Sequence, residues 1–192
     1  MTDEEILKVL EDTQAVRKGH FKLTSGRHSD TYIQCARILE HPRLTNQLAV
    51  EAARRLPGDV KVDMVASPAI GGILFGFAVA FSLHTPFIFS ERKDGAMQFR
   101  RSFEVPKNAS ILVVEDVVTT GGSVKEVIDL VRDAGANVAG VVSIIDRGAN
   151  PDFGAPFYPL LRLKTPSWSP EECDLCSSGV PLDAPGSRHL AK

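Results

Sequence analysis

The chain has 192 residues, of which 43% are hydrophobic and 24% charged, and its net charge is −2 at pH 7. This length fits one domain with a sizeable core, and the near-neutral charge gives no electrostatic reason to bind nucleic acid or an anionic membrane. The acidic start lacks the pattern of a signal peptide, and three cysteines do not indicate a disulfide framework, so we expect a cytoplasmic protein.

The N-terminal part predicts two helices separated by a short extended segment. Residues 3–17 have the apolar spacing of an amphipathic helix, with Thr2 or Asp3 as its N-cap. Residues 19–33 have β-like character around a turn at 24–26. Residues 42–56 predict a second helix, because leucine or alanine recurs there every four positions.

Strands and helices then alternate along the chain. We predict strands at 62–66, 86–90, 110–114 and 138–145, helices at 72–83 and 123–134, and a polar connection at 91–106. This order predicts an α/β fold with an open, mainly parallel sheet flanked by helices. The longest uncharged apolar run, 69–81, is too short for a bilayer and predicts a buried helix. The chain after Arg147 is Pro-rich, and we predict an irregular tail over 149–192.

The segment 111–123 is the most informative about function. It is an apolar strand followed by the acidic pair Glu115 and Asp116, a Thr-Thr-Gly-Gly-Ser loop and a helix. Backbone N–H groups of such a loop can surround a phosphate at the helix N-terminus, and we expect Gly121 and Gly122 to adopt positive φ. No nucleotide P-loop or dinucleotide fingerprint is present. The alternative is a plain turn with surface acids.

A second loop, residues 66–72, has the same order of strand, small residues and helix. Ile70 and Gly71 lie where backbone N–H groups would be exposed just before a helix. A tight turn would use the same residues. Because both loops follow parallel strands, they would meet at one edge of the sheet, which suits a ligand with two phosphate groups.

The basic segment 91–101 is too polar for the core and too long for a tight turn. It is either a solvated surface hairpin or a mobile lid that brings Arg92, Lys93, Arg100 and Arg101 onto a pyrophosphate, with Gly95 as a hinge.

Arg147 ends the strand after the loop's helix, and a guanidinium there could bind a substrate carboxylate or form an ion pair with Asp146 or another acid. Tyr32 and Ile33 could offer an apolar face to a base or pack in the core. Cys173 and Cys176 form one Cys-x-x-Cys pair, whereas a zinc site needs four ligands. Cys35, His189 or a partner subunit could complete such a site, but two ordinary thiols are the favoured interpretation.

Segment 113–124 resembles the 5-phosphoribosyl-1-pyrophosphate (PRPP) signature of type I phosphoribosyltransferases. Stretches 19–29, 67–73 and 91–103 extend the resemblance to the orotate phosphoribosyltransferases, whose N-terminal hood carries the Phe-x-Leu-x-Ser-Gly pattern found at 21–26. The resemblance divides the single domain into hood elements at 1–40, a PRPP-binding core at 60–148 and the tail. Better-known members carry Lys in place of Thr24 and Gly71, and their lids are longer.

The resemblance implies Mg²⁺-dependent transfer of ribose 5-phosphate from PRPP to orotate, in a homodimer whose lid serves the neighbouring subunit. Mg²⁺ would arrive on PRPP, with no direct protein ligand. The implied catalytic residues are Lys93, Glu115 and Asp116. The implied PRPP-binding residues are Ile70, Gly71, Arg92, Lys93, Glu115, Asp116, Val117, Val118, Thr119, Thr120, Gly121, Gly122 and Ser123. The implied orotate-binding residues are Thr119, Arg147, Tyr32 and Ile33. The alternatives are a purine phosphoribosyltransferase and a non-catalytic PRPP-binding regulator.

Overall fold

A six-stranded sheet forms the centre of the fold. The computed structural model describes residues 1–185, and the predicted ligand candidate His189 lies outside them. The strands are β3 (Met64–Pro68), β4 (Phe87–Lys93), β5 (Ala96–Phe99), β6 (Ser110–Val118), β7 (Asn137–Asp146) and β8 (Phe157–Arg162). They lie in the order β5-β4-β3-β6-β7-β8, and all neighbours are parallel except β4 and β5. The predicted α/β class is confirmed.

Helices cover both faces of this sheet because its central strand is apolar on both sides. Leu112 and Val114 of β6 pack with helices α1, α3 and α4, and Ile111 and Val113 pack with α5. All four side chains are fully buried. The helices are α1 (Asp3–Asp12), α3 (Pro42–Arg55), α4 (Gly71–Leu83) and α5 (Gly122–Asp133), with short α2 (Ala36–Leu39) and α6 (Asp174–Ser177).

A two-stranded sheet forms the N-terminal hood. Strand β1 (Val16–Lys22) pairs with β2 (His28–Ile33) in antiparallel register, with an irregularity between Lys18 and Phe21. The predicted helix 3–17 was too long. Thr2 and Glu5 form a reciprocal capping box at its start, but α1 ends at Asp12, because Gln14 takes a left-handed φ of 60° and turns the chain into β1.

The tail is more ordered than predicted. Strand β8 pairs in parallel with β7 and completes the sheet at its edge. Further along, Trp168 and Asp183 form isolated β-bridges with His28 and Phe21 of the hood. The prediction of an irregular tail was therefore wrong for β8, and the segment after it crosses the hood hairpin.

The predicted connection 91–106 begins as a β-hairpin. Strand β4 continues to Lys93, and β5 returns beside it after the two-residue turn Asp94-Gly95, whose φ values are 53° and 84°. Two left-handed residues are what a tight hairpin turn requires, so Gly95 is a turn residue.

Helix α4 is not buried all round, in contrast to the prediction. Leu74, Phe77 and Phe81 are 56%, 60% and 66% exposed, and they form one apolar face. Within residues 1–185, no helix combines the length and apolar composition needed to cross a membrane.

Candidate functional site

The two predicted anion loops meet at the centre of the sheet. Strands β3 and β6 are neighbours, yet β3 is followed by α4 on one face and β6 by α5 on the other. In an open parallel sheet, such a reversal of chain direction leaves a crevice at the carboxyl ends of the strands, where ligands bind. The loops after β3 and β6 form the two sides of this crevice.

The loop after β6 surrounds a cavity of about 300 Å³. The lining residues run from the end of β6 into the first turn of α5: Glu115, Val117, Val118, Thr119, Thr120, Gly121, Gly122, Ser123, Val124 and Glu126. The first N–H groups of α5 lack intrahelical acceptors and carry the positive end of the helix dipole. The cavity therefore suits a phosphate group.

Gly121 adopts a φ of 80°, and a Cβ there would lie 2.8 Å from the ring of Phe153. Both facts require glycine at this position. Gly122 is not among the residues with positive φ, so the prediction was correct for the first glycine and wrong for the second.

The acidic pair lies inside strand β6, which runs four residues beyond its predicted end. Glu115 is 9% exposed, and its Oε1 accepts a hydrogen bond from the Asp116 N–H at 3.0 Å. The Asp116 Oδ1 accepts from the Val117 N–H at 2.8 Å. Glu115 lines the cavity although it is buried, and the half-buried Asp116 lies against Gly71 of the loop after β3.

Burial, followed by the negative charge of Asp116, raises the pKa of Glu115 to about 9. The raised pKa favours the protonated form of Glu115 at neutral pH. A strongly shifted carboxyl in a ligand-sized cleft is a typical mark of a functional site.

The loop after β3 packs directly on the acidic pair. A Cβ on Gly71 would lie 2.7 Å from the Asp116 Oδ1, and one on Gly72 would lie 3.0 Å from the Glu115 Oε1. Only glycine allows this approach of the α4 N-terminus to the carboxyls. Ile70 precedes it, after a cis Ala69–Ile70 peptide, with 85% of its surface exposed.

The basic hairpin reaches the wall of the cavity through one arginine. The Arg92 Nη2 donates to the Glu126 Oε1 at 2.6 Å, and its Nη1 donates to the Gly95 carbonyl at 2.6 Å. Arg101 is held by a bidentate pair with Glu91, both distances being 2.9 Å. Lys93 and Arg100 are exposed and form no ion pair with any residue of the described chain.

Arg147 lies beside the cavity at the end of β7. Its N–H donates to the Val118 carbonyl at 2.9 Å, and its Nε donates to the Thr165 Oγ1 at 3.0 Å. Asp146 pairs instead with Arg162 at 3.3 Å, and no carboxylate partners Arg147 within residues 1–185. Burial lowers the pKa of this guanidinium, as expected where no negative charge compensates it.

Tyr32 and Ile33 lie on the hood, outside the lining of the phosphate cavity. The Tyr32 ring is 5.6 Å from that of Phe21, and Ile33 packs against the hydrophobic core. Two residues on, the pKa of the Cys35 thiol is raised by burial and then by the charges of Asp116 and Glu115. The end of β2 therefore lies near the acidic pair.

Cys173 and Cys176 do not lie apart as ordinary tail thiols. They converge with His20 and His28, and the four potential ligand atoms lie within 4.8 Å of one another. Cys35, which the sequence offered as a further ligand, belongs to the hydrophobic core instead. Sequence reasoning missed both histidines, because they lie some 150 positions from the cysteines.

This fold and its paired loops define a phosphoribosyltransferase domain, and the family of that description matches residues 35–154. The orotate phosphoribosyltransferases of Caldanaerobacter subterraneus subsp. tengcongensis and Thermotoga maritima are 47% and 48% identical to the chain. The alignments cover 99% and 96% of this chain and 100% and 99% of those proteins. The crystal structure of the Aeropyrum pernix enzyme has a TM-score of 0.69 at 27% identity, over 83% of this chain and 94% of that one. The chain belongs to the orotate phosphoribosyltransferase family.

Proposed function

We propose that this protein transfers the ribose 5-phosphate group of PRPP to orotate, giving orotidine 5-monophosphate and pyrophosphate in pyrimidine nucleotide synthesis. The observation that carries the proposal is the meeting of two helix-terminal loops on one acidic pair. PRPP has a phosphate at one end, a pyrophosphate at the other and a ribose between them. The crevice offers an anion site, two carboxyls and a second anion site in the same order.

The loop from Thr119 to Ser123 would hold the 5-phosphate through its N–H groups. Asp116 and Glu115 would hold the ribose hydroxyls between the loops. Ile70 and Gly71 would hold the pyrophosphate, assisted by Arg92 and Lys93. Val117 and Val118, which line the same cavity, would shape its floor.

The reaction needs no protein nucleophile. An oxocarbenium-like ribose forms as pyrophosphate leaves, as in glycoside transfer. Asp116 lies where its negative charge would favour that positive centre, and the exposed Lys93 is the candidate lid cation for the leaving group. Holding orotate and PRPP in line supplies the rest of the rate enhancement.

Mg²⁺ is part of the proposal as a companion of PRPP. It would neutralise the charge of the pyrophosphate, whose oxygens are the hard ligands that Mg²⁺ prefers. No residue is assigned as its direct ligand.

Arg147 would select the base. Its backbone N–H contacts Val118 of the cavity wall, and its guanidinium, which has no carboxylate partner in the described chain, would bind the carboxylate of orotate together with Thr119. Tyr32 and Ile33 would contribute from the hood. Purine bases lack the carboxylate, which is why orotate is favoured over the purine alternative. A non-catalytic regulator would bind PRPP without consuming it.

The active unit would be a homodimer. The exposed Leu74, Phe77 and Phe81 of α4 border a hollow that Leu39 and Pro42 also line. An apolar face of this kind on a helix is typical of an association surface, and a second copy is its proposed occupant.

An ultraviolet assay with PRPP, Mg²⁺ and a panel of bases tests the function. We expect orotate to be consumed and uracil, adenine and hypoxanthine to be rejected, since without a carboxylate the half-buried Arg147 guanidinium stays unpaired. Equal turnover of uracil would overturn the orotate assignment. PRPP binding with no turnover of any base would indicate the regulator instead.

A further inference from the structure

Four metal-ligand side chains converge where the tail crosses the hood. His20 and His28 come from β1 and β2, and Cys173 and Cys176 from the start and interior of α6. His20, His28 and Cys173 are 3%, 4% and 3% exposed. None of the four lines the phosphate cavity, so the cluster is separate from the proposed active site.

Four of the six distances between the ligand atoms are between 3.0 and 3.6 Å, close to the edges of a small tetrahedron. The His20 Nε2 lies 3.0 Å from the His28 Nδ1 and 3.4 Å from the Cys173 Sγ. The Cys176 Sγ lies 3.6 Å from the His20 Nε2 and 3.2 Å from the His28 Nδ1. With zinc–nitrogen bonds of ~2.05 Å and zinc–sulfur bonds of ~2.3 Å, a tetrahedral site has edges of about 3.3 to 3.8 Å.

The second ring nitrogen of His20 has a partner that fixes its role. Its Nδ1 lies 2.8 Å from the Val180 carbonyl, which can only accept, so the Nδ1 carries the proton. In the tautomer that is protonated at Nδ1 alone, the Nε2 lone pair faces the other three side chains. A carbonyl that orients a histidine in this way is a regular feature around bound metals.

We propose that His20, His28, Cys173 and Cys176 bind one structural Zn²⁺ ion. Two thiolates and two imidazoles form a donor set that zinc prefers, and four protein ligands leave no open position for catalysis. On binding, the two thiols would lose their protons to solvent, and zinc would stay in the divalent state.

The ion would fasten the tail onto the hood. It would link residues 153 positions apart, and the nearby contacts follow the same path. The Ser29 hydroxyl donates to the Pro166 carbonyl at 2.7 Å, and Thr165 contacts Arg147. A metal ion that binds only the folded chain stabilises the fold by its binding free energy. It would also hold the segment that positions Arg147.

Metal analysis of the reduced, full-length protein tests the site. We expect one zinc per chain in the wild type and none in Cys173→Ser with Cys176→Ser. Cys35→Ser removes the third cysteine, which lies outside the cluster, and should keep the zinc. Cobalt supplied in place of zinc should give the visible absorption of a tetrahedral thiolate site in the wild type and in Cys35→Ser only.

Thermal unfolding gives a second measurement that does not depend on activity. Chelation should lower the melting temperature of the wild type by roughly 10 °C and leave the double variant unchanged. A reduced wild-type protein that binds neither zinc nor cobalt would overturn the proposal. A Cys173–Cys176 disulfide in protein purified without oxygen would also overturn it and indicate a redox pair. Neither result would bear on orotate turnover.

Discussion

Asp116 connects the two loops of the site. It follows the buried Glu115 in β6, and its carboxylate lies against Gly71 of the loop after β3. Asp116→Asn keeps the shape and the acceptor for the Val117 N–H, but it removes the charge. We expect turnover to fall by ~10²–10³, the usual cost of losing one preorganised electrostatic contact. The melting temperature should stay the same, since the group is half-exposed.

Steady-state kinetics and a thermal scan measure the two effects. Asp129→Asn, an exposed acid on α5, is the control and should match the wild type. Normal turnover in Asp116→Asn would mean that this carboxylate is only a surface charge.

Glu115 should make the stability of the chain depend on pH. Its pKa is raised from 4.5 to about 9, so between these values the unfolded chain loses a proton that the folded chain keeps. The free energy of unfolding therefore falls as pH rises through this range, by at most about 1.4 kcal/mol per pH unit. Glu115→Gln cannot titrate, and its melting temperature should exceed that of the wild type by more at about pH 8 than at about pH 6.

Glu126→Gln is the matched control, because it changes another acid of the same cavity. Arg92 lowers the pKa of Glu126, so the stability that the ionised Glu126 contributes is present above the ordinary carboxyl range and is lost only in acid. The difference in melting temperature between Glu126→Gln and the wild type should be the same at about pH 8 and at about pH 6. A constant difference for Glu115→Gln as well would contradict the protonated, buried state of Glu115.

The elements that form the site depend on a close approach of α4 to β6. Gly71→Ala would bring a Cβ to 2.7 Å from the Asp116 Oδ1, so the carboxylate or the helix must move. We expect a rise in the KM for PRPP and a fall in kcat of about tenfold or more, because misplacement by an ångström is costly in catalysis. Gly58→Ala, where no atom lies within 4 Å of the new Cβ, is the control and should not change the kinetics. Wild-type kinetics in Gly71→Ala would show that the two loops do not act together.

The central elements could be predicted from the sequence because their signals are local. The apolar run before Glu115 predicts a strand buried on both faces, and the small residues from Thr119 to Ser123 predict a turn into a helix. Parallel order then places the loops at 66–72 and 119–123 on one edge of the sheet.

The rest could not be predicted, because it depends on distant contacts. Strand β8 contains Pro159, so its sequence predicts a loop. Proline is tolerated in this strand because β8 lies at the edge of the sheet. The partner of Arg92 is Glu126, which lies 34 positions away. Likewise, His20 has no distinguishing signal in the sequence and becomes a neighbour of Cys173 only in the folded chain.

At the scale of the whole molecule, the proposed homodimer gives each basic hairpin two possible targets: the cavity of its own subunit and that of the neighbour. Within one chain, Arg92 already reaches Glu126 on its own cavity wall. The exposed Lys93 and Arg100 are the cations that a neighbouring site could use. The family resemblance implies that the lid serves the neighbour, and the proposed dimer through Phe77 and Phe81 would supply that second copy.

Subunit mixing decides this, with Asp116→Asn as one inactive variant and Lys93→Ala with Arg100→Ala as the other. Arg101 stays unchanged, because its pair with Glu91 supports the hairpin itself. If the lid acts on the partner, each mixed dimer has one intact site, and equal mixing should restore about a quarter of wild-type activity. Adding Phe77→Asp and Phe81→Asp to both variants should abolish the recovery by preventing association. If each lid covers its own subunit, every mixed dimer contains two broken sites, so no recovery after verified exchange would refute the shared site.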